Sequence, residues 1–182
     1  KYTRVNPNLD MFHKVLRGWV NQGSPKRAES LLLKMIELYE NGQEAVKPNL
    51  NTYNRVLSCW AKSNEKYSGE RAQLILRQMK MLEADGKTEM APDIISYNTV
   101  VNAWANSMDP TSHLQIESLV LEMIMAGREK LMPDAATYGS WLKAISRHED
   151  VKDHVKDVVK MMKVHDFSPT GYLEKRIAAL SK

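Results

Sequence analysis

Asn54 and Asn98 each follow a tyrosine and lie 44 residues apart, while Asp93 and Asp134 each follow a proline and lie 41 apart. A carboxamide carries donors and acceptors, and an ionised carboxylate only accepts, so the acid can orient the amide directly or through water. The residues that could do covalent or metal chemistry do not form motifs. His148 and His154 are six apart, off the spacing that puts two ligands on one helix face, and His13, His113 and His165 are scattered. A lone cysteine, Cys59, excludes an intrachain disulfide and a multi-cysteine zinc site, and is expected to pack as a small hydrophobe. There is no His-x-Glu with Cys-x-x-Cys of the zinc deaminases and no phosphate-cradling glycine-rich loop. Glu149-Asp150 reads as a helix start. No catalytic residue, metal or cofactor is expected.

The amide and acid positions belong to a pattern that recurs along the chain. Four segments open on Phe12, Tyr53, Tyr97 or Tyr138 and close on Pro48-Asn49, Pro92-Asp93, Pro133-Asp134 or Pro169-Thr170. The units are residues 9–49, 50–93, 94–134 and 135–170, of 41, 44, 41 and 36 residues. Periods of this size indicate a solenoid, whose first use is as a binding surface. Asn6-Pro7-Asn8 matches the closing of an earlier unit, so residues 1–8 are expected to end a preceding repeat of a longer protein. Residues 171–182, with Lys175 and Arg176, look like a further first helix, truncated or capping.

Within each unit the apolar spacing is helical. Helix A carries Phe12, Val15, Leu16, Trp19 and Val20; then Tyr53, Val56, Leu57, Trp60 and Ala61; then Tyr97, Val100, Val101, Trp104 and Ala105; then Tyr138, Trp141, Leu142 and Ile145. Helix B carries a second stripe that ends on Met35, Met79, Met123 and Met162. Ser24-Pro25 and Asp109-Pro110 pair a capping side chain with a proline suited to a first turn, which predicts B-helix starts there. Asn41-Gly42 and Asp85-Gly86 read as left-handed helix ends. Units one and two have extra length between the methionine and the proline, which lengthens either helix B or its loop. The tryptophans and methionines are expected in the core.

Charge is unevenly placed. The chain is only +4 overall, but the four A helices hold Lys14, Arg17, Arg55, Lys62, Lys143 and Arg147 against a single acid, Asp10. The rest of the chain nets slightly negative, so the whole cationic excess lies on one wall of the solenoid, as a polyanion-tracking groove requires. No apolar run approaches membrane-span length, and the first residues resemble neither a signal nor a transit peptide.

Tyr-Asn early in helix A, the apolar pair and methionine of helix B, and the terminal Pro-Asp together resemble pentatricopeptide repeat proteins, over residues 9–170. HEAT repeats are nearer the period, and the early Trp and Leu-Gly of tetratricopeptide repeats fit poorly, but the recurring Tyr-Asn and Pro-Asp carry more weight. The resemblance implies an all-α fold, a right-handed α-solenoid of stacked helix-turn-helix repeats. It also implies single-stranded RNA as partner, one base per repeat, in a mitochondrion or plastid. Units two and three match best, and the resemblance makes Asn54 with Asp93, and Asn98 with Asp134, the base-reading pairs, a combination for uracil. Unit one offers His13 with Asn49, and unit four offers Gly139 with Thr170, both departing from the pattern. Ile95 and Ala136 would pack on a base face, Asn51 and Asp10 less well. The six A-helix cations would line the groove and meet phosphate. The alternative is a structural subunit of a large organellar ribonucleoprotein, such as a mitochondrial ribosome, gripping protein or structured RNA.

Overall fold

The computed structural model describes residues 7–63 and 65–182. Most of the segment expected to end an earlier repeat, residues 1–6, lies outside the described residues. Four helices start directly after an Asn or Asp in extended backbone: α1 (Leu9–Asn21) after Asn8, α3 (Leu50–Lys62) after Asn49, α5 (Ile94–Asn106) after Asp93, and α7 (Ala135–Ile145) after Asp134. Each capping side chain accepts the N–H three residues on, which satisfies one of the donors that a helix start leaves unpaired. In α3, α5 and α7 the hydroxyl of Thr52, Ser96 or Thr137 returns to the backbone N–H of the cap, closing a reciprocal capping box.

The partner helices are α2 (Pro25–Glu40), α4 (Ser68–Ala84), α6 (Ser112–Met125) and α8 (Val151–Val164), followed by α9 (Tyr172–Leu180). Each A helix packs on the next A helix, and each B helix lies between its own A helix and the one that follows. Short 3₁₀ turns at Glu44–Val46, Thr88–Met90 and Glu129–Leu131, after the first three B helices, bury Val46, Met90 and Leu131. Among the described residues there is no strand, and the architecture is an all-α stack of hairpins.

The stripes form one continuous core. Met35, Met79, Met123 and Met162 are all buried, as are Trp60 and Trp104, with each hairpin's apolar face covered by its neighbour. α1 differs because no hairpin among the described residues precedes it. Leu16 is its one fully buried side chain, and Trp19 stays half-buried with the Arg27 guanidinium 5.0 Å from its ring. Cys59 is buried, and its thiol donates to the Trp19 carbonyl at 3.4 Å.

Some local expectations hold and others are corrected. The extra length of units one and two lies in the helices: α2 and α4 run five residues past their methionines, whereas α6 and α8 run two. Gly42 and Gly86, at φ +88° and +84°, end the long pair as expected. α6 does not begin at Asp109-Pro110. Asp109 accepts from the backbone and the hydroxyl of Thr111 in a local turn, which delays the helix to Ser112. Pro25 does occupy the first turn of α2, but the Ser24 side chain makes no capping bond.

Candidate functional site

Asn54 and Asn98 lie at the same place on α3 and α5 and make the same contacts. The Asn54 amide donates from Nδ2 to Asp93 Oδ1 at 3.2 Å, and its Oδ1 accepts from Ser96 Oγ at 2.7 Å. The Asn98 amide donates to Asp134 Oδ1 at 3.1 Å and accepts from Thr137 Oγ1 at 2.5 Å. The carboxylate has no proton to give, so it fixes which end of the amide faces it. Both asparagines are half-buried and keep one N–H and one lone pair uncommitted by these contacts. Asp93 and Asp134 therefore cap the next helix and hold the preceding asparagine at once.

Around Asn98 the A helices leave a cleft of about 340 Å³, lined by Ser58, Ala61 and Lys62 of α3, Ile95, Asn98, Thr99 and Asn102 of α5, and Ala136 and Ser140 of α7. Ile95 is 59% exposed and Ala136 is exposed, so both keep apolar surface beside the cleft. Asn51 is exposed at the same position of α3.

The outer units are built differently. His13 Nε2 lies 2.9 Å from Thr52 Oγ1, so it takes the place that Asn54 and Asn98 take against their hydroxyls, while Asn49 caps α3. Burial, then the charge of Arg55, holds the His13 imidazole below its ordinary value, partly opposed by Asp10. In α7, Gly139 has no side chain, and a Cβ there would sit 3.8 Å from Leu173 of α9. Thr170 is exposed and makes no side-chain hydrogen bond among the described residues.

The six cations expected on the A helices divide, and one of them, Arg147, lies in the turn after α7 rather than on a helix, because α7 ends at Ile145. Arg17, Arg55 and Lys62 form no ion pair among the described residues, and the Arg55 Nε is buried without a hydrogen-bond partner. Lys14 pairs with Asp10 at 2.7 Å, which holds the exposed Asp10 carboxyl below its usual range. Lys143 donates to Asn106 Oδ1, and Asn106 in turn donates to the Ala61 carbonyl at the end of α3. Arg147 donates to the Ser107 and Ala105 carbonyls at 2.9 and 2.8 Å, where the negative end of α5 attracts a cation. Unlike Arg17, Arg55 and Lys62, these last two already have partners in the preceding hairpins.

The histidines are less scattered than their spacing suggests. His113 opens α6, His148 lies in the loop after α7 and His154 lies on α8, and their ring centroids are 4.3, 4.5 and 5.5 Å apart. Burial, then the neighbouring rings, keeps His113 below its ordinary value. Among the described residues no group of three His, Cys, Asp or Glu is arranged to hold a metal ion. His165 instead stacks on Tyr138 beside Phe167, in hydrogen-bond contact with the Tyr138 hydroxyl.

Sequence reasoning missed the hydroxyl partners Thr52, Ser96 and Thr137, all fully buried. Their signal was present, because a Thr or Ser directly precedes each of the three tyrosines that open α3, α5 and α7. It also missed the bonds from the tryptophan indoles to the previous B helix, Trp60 Nε1 to Glu29 at 3.0 Å and Trp104 Nε1 to Gln73 at 2.7 Å. No helix among the described residues is long and apolar enough to cross a membrane.

A comparison with known families matches residues 2–63 to the model described as a pentatricopeptide repeat domain. That span holds α1, α2 and α3, a shorter stretch than the resemblance read over residues 9–170. No curated protein matches the chain.

Proposed function

We propose that this chain, which carries a pentatricopeptide repeat domain at residues 2–63, binds single-stranded RNA along its A helices, one base per hairpin. Repeats of this class read successive bases with two or three side chains each. The observation that carries the reading is the cleft in which Asn98 lies with Ile95, Ala136 and Lys62. A base slid between Ile95 and Ala136 would bury both faces against aliphatic carbon and bring its edge to the amide. Its phosphate would lie within reach of a lysine.

Asn98 with Asp134 reads one uracil and Asn54 with Asp93 the one before it, the latter base packing between Asn51 and Ile95. Uracil N3–H would meet the free lone pair of the amide, and a ring carbonyl its free N–H. His13 with Asn49 contacts the preceding base without the same discrimination. Arg17, Arg55 and Lys62 supply the attraction to the backbone, so that attraction is strongest over α1 and α3. A mitochondrial or plastid location follows from the repeat class.

Binding of the whole chain to short single-stranded RNA, followed by fluorescence anisotropy, tests this. Asn54→Ala with Asn98→Ala should weaken binding to U-containing RNA by at least about fivefold, the low end of what a good amide–base pair contributes. Unchanged affinity would refute base reading.

A second reading applies to the last hairpin. Gly139 offers no side chain, Leu173 packs beside it, and Lys143 and Arg147 are tied to α5. This end suits contact with protein or structured RNA, as in a ribonucleoprotein subunit. Chain that co-sediments with a large particle but ignores single-stranded RNA at moderate salt would favour that reading over the first.

A further inference from the structure

We infer that Ser96 and Thr137 are specificity-determining positioning residues, each locking, together with the Asp93 or Asp134 carboxylate, the donor–acceptor order that the asparagine of the preceding hairpin shows to a base. The inference rests on the base-reading proposal and adds a residue to it.

Each hydroxyl has a single hydrogen and several claims on its oxygen. Ser96 Oγ receives the backbone N–H of Asp93 at 3.3 Å and lies 2.9 Å from Asp93 Oδ1 and 2.7 Å from Asn54 Oδ1. Asp93 Oδ1 already accepts the Ser96 backbone N–H at 2.8 Å and the Asn54 amide. The less crowded and nearer acceptor for the hydroxyl hydrogen is therefore the amide oxygen. Thr137 repeats the arrangement. It receives the Asp134 N–H at 3.0 Å, lies 3.1 Å from Asp134 Oδ1 and 2.5 Å from Asn98 Oδ1. Thr52 Oγ1 likewise receives the Asn49 N–H at 3.1 Å and lies 2.9 Å from His13 Nε2 one hairpin earlier. All three hydroxyls are fully buried, so no water competes for them.

The amide is thus held at both ends, its nitrogen by a carboxylate and its oxygen by a hydroxyl from the next hairpin. This matters because uracil and cytosine differ by an exchange of donor and acceptor. Uracil presents N3–H beside O4, and cytosine presents bare N3 beside an N4 amino group. An amide that rotates about its last torsion interchanges the two patterns. The carboxylate opposes that rotation at the nitrogen, and the hydroxyl adds a second bond at the oxygen that the rotation would break, so losing the hydroxyl loosens the order. Each hairpin's reading is completed by a residue of the one after it.

The test uses the whole chain and two RNAs that differ only by U or C at the two central positions. The ratio of their affinities is read well below the melting temperature. Ser96→Ala with Thr137→Val should lower the U-over-C ratio at least about fivefold, with the helical circular dichroism unchanged. Ser96→Thr, which keeps a hydroxyl in the form found at the equivalent Thr137, should keep the ratio. A loss of capping alone would lower the melting temperature and leave the ratio intact, and an intact ratio overturns the positioning role. If the Ser96→Ala protein does not fold, Thr137→Val alone, which keeps the side-chain shape, decides at the second position. Should Asn54→Ala with Asn98→Ala leave the ratio unchanged, base reading falls and this inference falls with it. If that pair abolishes the ratio while the hydroxyl variants do not, only the positioning role is lost.

Discussion

The Asp134 carboxylate accepts the Asn98 side-chain amide at 3.1 Å and also the Thr137 backbone N–H at 3.0 Å, so one oxygen joins a side chain of one hairpin to the helix start of the next. The same bond links Asn54 to Asp93. If the A helices read RNA as proposed, recognition and stacking share these atoms, and each can be probed through the other.

Asp134→Ala removes the cap of α7 and leaves Asn98 Nδ2 without its acceptor. Stability should fall by about 1–2 kcal/mol, the range of a lost N-cap with a hydrogen-bonded neighbour. Urea denaturation followed by circular dichroism measures it. A loss under about 0.3 kcal/mol would mean that solvent replaces both bonds.

Gly69, in the first turn of α4, faces the Trp104 indole so closely that a Cβ would lie 2.5 Å from two ring atoms. On helix propensity alone Gly69→Ala would stabilise by up to about 1 kcal/mol. Because the neighbour is a rigid, buried ring also bonded to Gln73, overpacking should win, at a cost of about 1–3 kcal/mol. The sign of the change in denaturation midpoint separates the two.

Burial and the rings of His148 and His154 keep His113 below its ordinary value of 6.5, and burial and Arg55 do the same for His13. Such a group binds fewer protons folded than unfolded, so its contribution is full above about pH 6.5 and is lost as pH falls below it. The melting temperature should drop between pH 7.5 and 5.5. His113→Gln should remove part of that drop and His13→Gln a further part. A drop of unchanged size in both variants would assign it to other groups.

Lys62, the last residue of α3, and Arg147, in the turn after α7, have opposite expected behaviour. If the A helices track RNA, Lys62→Ala should lower the slope of log affinity against log salt by about 0.7, the value for one phosphate contact on a single strand. Arg147→Ala should leave that slope alone and reduce stability instead, because its guanidinium holds the Ala105 and Ser107 carbonyls. Titrations at three salt concentrations, beside a thermal melt, distinguish them. An equal change of slope for both would show that Arg147 leaves α5 to meet RNA.

The helices and their stacking were legible in the residues because those signals are local, whereas the caps read at Ser24 and Asp109 did not form. A helix turns every 3.6 residues, so Tyr53, Val56, Leu57 and Trp60 must share a face, and an Asn or Asp after a proline offers a ready cap. Stacking follows, since a hairpin with two apolar faces has nothing else to cover them. Contacts made across about 40 residues are another matter. That Ser96 would reach Asn54, that Arg147 would turn to the end of α5, or that His113, His148 and His154 would meet depends on how far each hairpin rotates and shifts against its neighbour. Apolar spacing states only which faces bury. Summed side-chain packing sets the rotation, and a displacement of an ångström or two is enough to make or break a polar contact.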